Sequence, residues 1–418
     1  MSALTWIALA SLAAWAWLLL GQGLFWRTDI RLPPRGAPAD GAWPTVAIVV
    51  PARDEAQVLP MSLPSLLEQD YPGRAVVFLI DDGSTDGTAK TARVLATDCE
   101  RGLPLVVASP GALEPGWTGK LWAVRHGITL ARAQLAPEYL LLTDADIAHE
   151  PDSLRELVCA ARSRDLDLVS QMARLRVETV WERLIVPAFV YFFAQLYPFR
   201  WVNRPGARTA AAAGGCVLLR TDAAERARVP ESIRQSVIDD VALARVVKRA
   251  GRGPAATARG AGASAGAPDA PGGRAARGRI WLGLAERVDS VRPYPHPREL
   301  WRMVSRSAYA QLRHNPALLA LTVVGLAVVY LAPPVAVGLG AGRGERVAWL
   351  VGGLAWAVMA GTFLPMLRYY RQSLWWAPLL PLMAALYLLM TVDSAIQHYR
   401  GRGAAWKGRT YARPEAAP

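Results

Sequence analysis

The 418-residue chain carries 47 Lys and Arg against 34 Asp and Glu, a formal net charge of +13, and 52% of its residues are hydrophobic. That size holds one domain of ordinary size plus something else. The positive excess comes without the basic, aromatic-interleaved stripe or the motifs of a nucleic-acid binder, so nucleic acid is set aside as a partner and anionic lipid is favoured. Three cysteines and five histidines stand at no disulfide or zinc spacing, so any metal here has oxygen ligands.

No charge occurs from Met1 to Trp26, and about 20 apolar residues suffice to cross a bilayer. The apolar stretch is longer than a signal-peptide core and no basic residue precedes it, which predicts a retained anchor over residues 1–26. Arg27, Arg31 and Arg35 follow it, so the positive-inside rule puts the next domain in the cytoplasm. Residues 27–44 read as a Pro/Gly/Ala linker. From residue 45, short β-rich apolar runs each stop at carboxylates: Val46–Val50 before Pro51, Asp54 and Glu55; Val76–Ile80 before Asp81 and Asp82; Tyr139–Thr143 before Asp144 and Asp146. Helices are expected from Thr85 or Asp86, from Pro151 to Arg162, and after Asp239-Asp240, with alternating strand and helix as in a βαβ sheet.

Residues 184–199 are uncharged, aromatic and too short to span. They fit either a core helix or a wall in contact with the membrane. Residues 252–278 lack apolar periodicity and are expected to be a disordered insertion in a surface loop. Three further charge-free stretches follow, Ala317–Gly342, Val347–Leu367 and Gln372–Val392. Three crossings would carry the basic tail of residues 394–418 outside, against the same rule, while Pro333-Pro334, Pro378 and Pro381 allow one segment to be re-entrant. The sequence leaves two or three crossings in the 316–393 region open.

In an open α/β sheet, ligands collect beyond the carboxyl ends of the strands, so acids at successive strand ends share one crevice. The set Pro51-Ala-Arg-Asp54-Glu55, Asp81-Asp82-Gly-Ser-Thr-Asp-Gly87, Trp117-Thr-Gly-Lys120, Asp144-Ala-Asp146 and Asp239-Asp240 resembles the family 2 glycosyltransferases. Gly214-Gly215-Cys-Val-Leu-Leu-Arg220, Arg279-Ile-Trp-Leu-Gly-Leu284 and Trp301-Arg-Met-Val look, more narrowly, like the hopene-associated members of hopanoid gene clusters. The resemblance implies a GT-A fold, a mixed and mainly parallel α/β sheet, over residues 45–315, with transmembrane helices at both ends.

It also implies roles. Pro51, Asp54, Glu55, Asp82, Lys120 and Asp144 bind a nucleotide-diphospho-sugar donor, with Asp54 and Asp82 along its nucleoside and Asp82 at the base edge. Asp144 and Asp146 form the Asp-x-Asp pair that holds Mg²⁺ or Mn²⁺ at the diphosphate, a task suited to carboxylates. Lys120 offers phosphate a point-like ammonium after the permissive Gly119. Asp240 is the general base and Asp239, where the family has Glu, supports it, although acids at a helix start also serve simple capping. Trp117, Gly214, Gly215, Gln311 and Arg313 are candidates for the acceptor region. Trp117 fits stacking on substrate or burial against the sheet.

The expected activity is metal-dependent, inverting transfer of one sugar to a lipid acceptor at the bacterial inner membrane, and the narrower resemblance implies a hopanoid-related acceptor. A processive polysaccharide synthase is disfavoured because Gln311-Leu-Arg313-His314 lacks the tryptophan of the processive pattern. A catalytically dead scaffold is disfavoured because all the acids are present.

Overall fold

The computed structural model describes residues 1–32, 41–100, 102–251, 277–401, 405–406 and 409–410. Much of the expected linker, nearly all of the 252–278 insertion and most of the basic tail lie outside the described residues. The chain divides into two compact units, neither continuous in sequence. One comprises Met1–Asp29, Arg176–Arg200 and Pro293–Arg413; the other is built from Ile30–Leu175 and Trp201–Arg292. Residues 176–200 and 293–315 thus belong with the apolar helices, a division that the linear pattern of acids and strands did not show.

The second unit is an α/β sheet of eight strands: β1 Val46–Ala52, β2 Ala75–Asp81, β3 Leu105–Ala108, β4 Tyr139–Thr143, β5 Ile147–His149, β6 Leu168–Arg174, β7 Cys216–Arg220 and β8 Ile280–Ser290. Their order is β3-β2-β1-β4-β7-β6-β8-β5. β1, β2, β3 and β4 run parallel, whereas β7 is antiparallel to both β4 and β6, and β5 is antiparallel to β8. Every residue of β1 is buried, which is why its sequence is a continuous apolar run rather than an alternating one. The helix Gly119–Leu135 lies close on the sheet at Gly127, where a Cβ would come within 2.5 Å of Val49.

The ends of the 252–278 segment are adjacent. Gly278 N–H donates to the Lys248 carbonyl at 3.1 Å, and Arg279 N–H to Asp167 Oδ2 at 2.7 Å. Deleting residues 252–278 and joining Gly251 to Arg279 is therefore expected to leave far-UV circular dichroism, melting and transfer activity close to wild type. Unchanged melting with lost activity would make the segment a working flap.

The first unit is helical. Four of its helices are long and apolar enough to cross a membrane: Ala3–Leu20, Pro316–Arg343, Arg346–Tyr369 and Leu374–Tyr399. The second is broken by a π-turn at Ala327–Leu331 ahead of Pro333. Proline has no N–H for the carbonyl four residues back. That carbonyl, of Val329, is supplied instead by Ser11 Oγ at 3.2 Å and Trp15 Nε1 at 2.8 Å. Gly352 admits the returning helix, since a Cβ there would lie 2.7 Å from the Ala336 methyl.

Residues 184–199, ambiguous in sequence, fall largely within the helix Val180–Leu196. Tyr191 is fully buried and bonds Thr362 at 2.7 Å, and Tyr387 donates to the Ile185 carbonyl at 2.9 Å, so this is a core helix of the apolar unit. Its start is a capping box of Thr179 and Glu182. The fully buried Glu182 carboxylate also accepts the Tyr294 N–H at 2.9 Å.

Candidate active site

β1, β2 and β4 deliver their carboxylates to the same sheet edge because they are parallel neighbours in register, Pro51 opposite Ile80 and Ala52 opposite Asp81. Beyond β1 the chain turns at Asp54, which adopts φ 50°, a left-handed conformation that Asp tolerates better than most residues. Asp54 Oδ1 accepts the Thr85 N–H at 2.8 Å while its own N–H donates to Ser84 Oγ at 2.9 Å, locking the β1 and β2 loops together. Glu55 N–H donates to Thr88 Oγ1 at 2.8 Å, and the helix starts at Thr88 rather than at Thr85 or Asp86. Asp82, 1% exposed, lies with one carboxylate oxygen 3.6 Å from the Arg53 guanidinium.

The centre of the site is Lys120. The helix that carries it begins after Thr118, whose hydroxyl accepts the Leu121 N–H, so Lys120 sits in the first turn and reaches forward to the strand end. Its Nζ stands 2.8 Å from Asp144 Oδ1 and 3.1 Å from Asp239 Oδ2. Burial would pull the lysine pKa down, but the two carboxylates outweigh it and hold the ammonium firmly protonated. Burial likewise pushes Asp144 up, with Lys120 opposing and the neighbouring Asp146 charge adding to the rise.

Asp240 opens the helix Asp239–Ala250 and points into the same space. Its Oδ2 accepts the Gly214 N–H at 3.0 Å and its Oδ1 the Val241 N–H at 2.7 Å. Burial first, and the Asp239 charge second, lift its pKa to about 6, with Lys120 and the two N–H donors holding back a larger rise. Pro51, Lys120, Asp144, Gly214, Asp239 and Asp240 all line one cavity of about 30 Å³.

Asp146 turns to a different partner. Arg292, just past the end of β8, donates from Nε to Asp146 Oδ2 at 2.7 Å and from Nη2 to both Glu55 oxygens at 2.8 and 2.7 Å. Gly215 contributes its carbonyl, which accepts the Thr143 hydroxyl at 2.8 Å. The same hydroxyl meets His149 Nε2 at 3.0 Å, and His149 Nδ1 meets Ser153 Oγ at 3.2 Å. Burial holds His149 neutral, its pKa pulled down to about 4. Trp117 packs with its ring 5.6 Å from Trp122, with the Arg125 guanidinium over both. Gln311 and Arg313 lie in the helical unit, where Gln311 donates to the Tyr197 hydroxyl.

Arg53, Arg292, His149 and Lys248 were not singled out in the sequence. Arg292 carried the same signal as the acids, a charged residue just past a strand; the others depend on tertiary neighbours. Lys248 is 2% exposed and donates to the carbonyls of Val202, Arg204 and Thr209 at 2.7, 3.1 and 2.8 Å. Each buried acceptor left unmet costs about 1–3 kcal/mol, part of which entering water recovers, so Lys248→Met should cost on the order of 2–4 kcal/mol in urea unfolding of the full chain. A loss within about 0.5 kcal/mol, the range of an ordinary surface change, would mean the three bonds contribute little.

Among known proteins, an N-acetylglucosaminyltransferase of Mesorhizobium japonicum is 33% identical over 86 residues, 20% of each chain. A dodecaprenyl-phosphate galacturonate synthase of Rhizobium johnstonii is 30% identical over 146 residues, 34% of this chain and 39% of that protein. The matches thus span well under half the length of these relatives. A mannosyltransferase from Pyrobaculum calidifontis, solved in complex with GDP-Man and Mn²⁺, shares the fold with a TM-score of 0.52 at 19% identity, covering 94% of this chain and 99% of that one. The profile of the family described as "Glycosyltransferase like family 2" matches residues 44–301, more than half the chain. The mixed, mainly parallel sheet with its acids at the strand ends is accordingly a GT-A fold, and the chain belongs to the family 2 glycosyltransferases.

Proposed function

We propose that this protein is a membrane-anchored, inverting glycosyltransferase that moves one sugar from a nucleotide-diphospho-sugar to a lipid acceptor at the cytoplasmic face of the bacterial inner membrane. The observation that carries the reading is Asp240, a carboxylate raised to about 6 and aimed into the cavity that Lys120 and Asp144 also line. A group with that pKa is ionised at neutral pH yet basic enough to accept a proton in the transition state. Asp240 takes the proton of the acceptor hydroxyl as that oxygen bonds the anomeric carbon. The bond to the diphosphate breaks with its electron pair on the departing nucleoside diphosphate, and a single displacement inverts the centre.

Lys120 contributes positive charge beside the diphosphate, while Asp54 and Asp82 lie along the nucleoside. Asp144 and Asp146 fit Mg²⁺ or Mn²⁺: they are hard oxygen donors close enough for the charge of one to raise the pKa of the other. Among the described residues no cluster of three or more His, Cys, Asp or Glu side chains forms a closed cage. Mg²⁺ beside phosphates typically takes one or two carboxylates and completes its shell with substrate and water oxygens. When bound, it would neutralise charge developing on the leaving diphosphate.

A lipid acceptor is supported by the four apolar helices and by the relative that is a dodecaprenyl-phosphate galacturonate synthase. The segments Gly214–Arg220, Arg279–Leu284 and Trp301–Val304 favour a hopanoid-related one. The test is transfer by the purified full chain from a panel of nucleotide sugars to extracted membrane lipid. Glycosylated lipid of single-sugar increment supports the reading; long polymer, or no product from any donor, overturns it.

A further inference from the structure

The last apolar segment, Leu374–Tyr399, is long and apolar enough to cross a membrane, yet the contacts within the helical unit do not let it be a span. His314 stands two residues before the first C-terminal apolar helix, and His398 lies at the end of the last. Their rings stack at 4.2 Å, 14° from parallel. Tyr309 joins both ends, its hydroxyl 2.9 Å from the His314 carbonyl and 2.8 Å from the Tyr399 hydroxyl. Two points in side-chain contact are at one membrane level. The chain between residues 314 and 398 therefore crosses an even number of times.

Pro316–Arg343 and Arg346–Tyr369 supply those two crossings. They are joined by a short turn, and Gly340 packs against the Trp349 backbone. A helix of 24 residues such as Arg346–Tyr369 is ~36 Å long, enough for the ~30 Å hydrocarbon core. The segment after it turns back. Trp356, near the middle of that helix, donates from Nε1 to the Pro378 carbonyl at 3.0 Å, so residues 374–379 descend only to about mid-bilayer. The helix Leu380–Tyr399 then climbs out to His314. Irregular backbone at such depth persists only where its polar groups are satisfied and it is covered by protein. The Trp356 bond meets the first need at the Pro378 carbonyl, and the burial of Ala377, Leu380 and Met383 helps to meet the second.

We propose that residues 374–399 form a re-entrant hairpin turning at Pro378–Pro381, and that the described residues cross the membrane three times. The first crossing is the N-terminal helix: Ser2 at its start bonds Glu345 in the turn between the two C-terminal crossings, and Gln22 just past its end bonds the Gln195 carbonyl. The face holding residues 343–346 carries Arg343 and Arg346. The opposite face has Arg27, Arg313, Arg368, Arg371 and Arg400, and after it in sequence Arg402, Lys407, Arg409 and Arg413. The charge asymmetry obeys the positive-inside rule only with the hairpin re-entrant.

The test is labelling of introduced cysteines in sealed right-side-out and inverted vesicles, using the full chain and a membrane-impermeant maleimide, with peptide mapping to separate each from the native Cys99, Cys159 and Cys216. Arg400→Cys and Ser373→Cys should label from one side and Arg343→Cys from the other. Labelling of Arg400→Cys from the side of Arg343→Cys would make Leu374–Tyr399 a true span and overturn the proposal. Epitope tags on the two termini of the otherwise unaltered chain give a second reading that needs no cysteine. Re-entry requires the tags on opposite faces, and a fourth crossing puts them on the same face.

Discussion

Asp240→Asn is expected to abolish most transfer while leaving donor affinity near wild type. The amide keeps the shape of the carboxylate but cannot take a proton, and losing a positioned general base typically costs on the order of 10²–10⁴-fold. The pH profile gives a signature that misfolding would not. The wild-type Asp240 pKa is raised to about 6, burial being the first cause. The active, ionised form is thus present above that value and lost as pH falls through it, giving the rate an acidic limb near pH 6. The Asn variant should lack that limb. Asp239→Asn is the control, since its charge is a cause of the raised pKa and its Oδ2 meets Lys120 at 3.1 Å. The limb should move to lower pH with a smaller loss of rate. If Asp240→Asn transfers sugar at near wild-type rate, or Asp239→Asn is the more damaging change, the helix start is only a cap.

The second large effect is expected at Asp146. Asp146→Ala should reduce transfer by at least the 10²–10³-fold, in order of magnitude, seen when one electrostatic contact to developing charge is removed. It should also weaken nucleotide binding only when Mg²⁺ or Mn²⁺ is present. Binding of Mn²⁺ itself, followed by electron paramagnetic resonance with and without nucleotide, separates a ligand from a structural residue. The Arg292 bond gives an alternative cause of inactivity, because removing Asp146 takes from that guanidinium one of the carboxylates that hold it, beside Glu55. Equal metal dependence of nucleotide binding in variant and wild type would assign Asp146 to this ion-pair role and remove it from the metal.

Much of the sheet was legible because parallel strands buried on both faces leave an unmistakable pattern, and because β1, β2 and β4 each stop at acids. Lys120 could be picked out because lysine is rare in this chain and Gly119 precedes it. The pairing of Lys120 with Asp239 was not legible: nearly 120 residues separate them, and only the approach of two helix N-termini brings their charges within 3.1 Å. Nothing in the sequence around Lys248 announces the three carbonyls that it meets. The helix Val180–Leu196 read ambiguously because its composition suits a protein core and a bilayer equally. Tyr191 with Thr362, and Tyr387 with Ile185, decide for the core of the helical unit. The number of crossings was undecidable from hydropathy, which counts apolar residues and cannot see that His314 meets His398.

The helix Asp239–Ala250 grips one stretch of chain at both of its ends. Lys248 holds the carbonyls of residues 202, 204 and 209, and Asp240 holds the Gly214 N–H. The hydrogen bond from Gly214 favours the ionised carboxylate, so an opening of this stretch that broke it while Asp240 stayed buried would raise the Asp240 pKa further, burial being the first cause of the rise. At a fixed pH near 6 the open form is then the more protonated one, and acid in turn stabilises the open form. Loop position and proton affinity become two readings of a single equilibrium, and amide exchange at Gly214 should quicken with acidification relative to the intrinsic rate over the same range in which transfer declines.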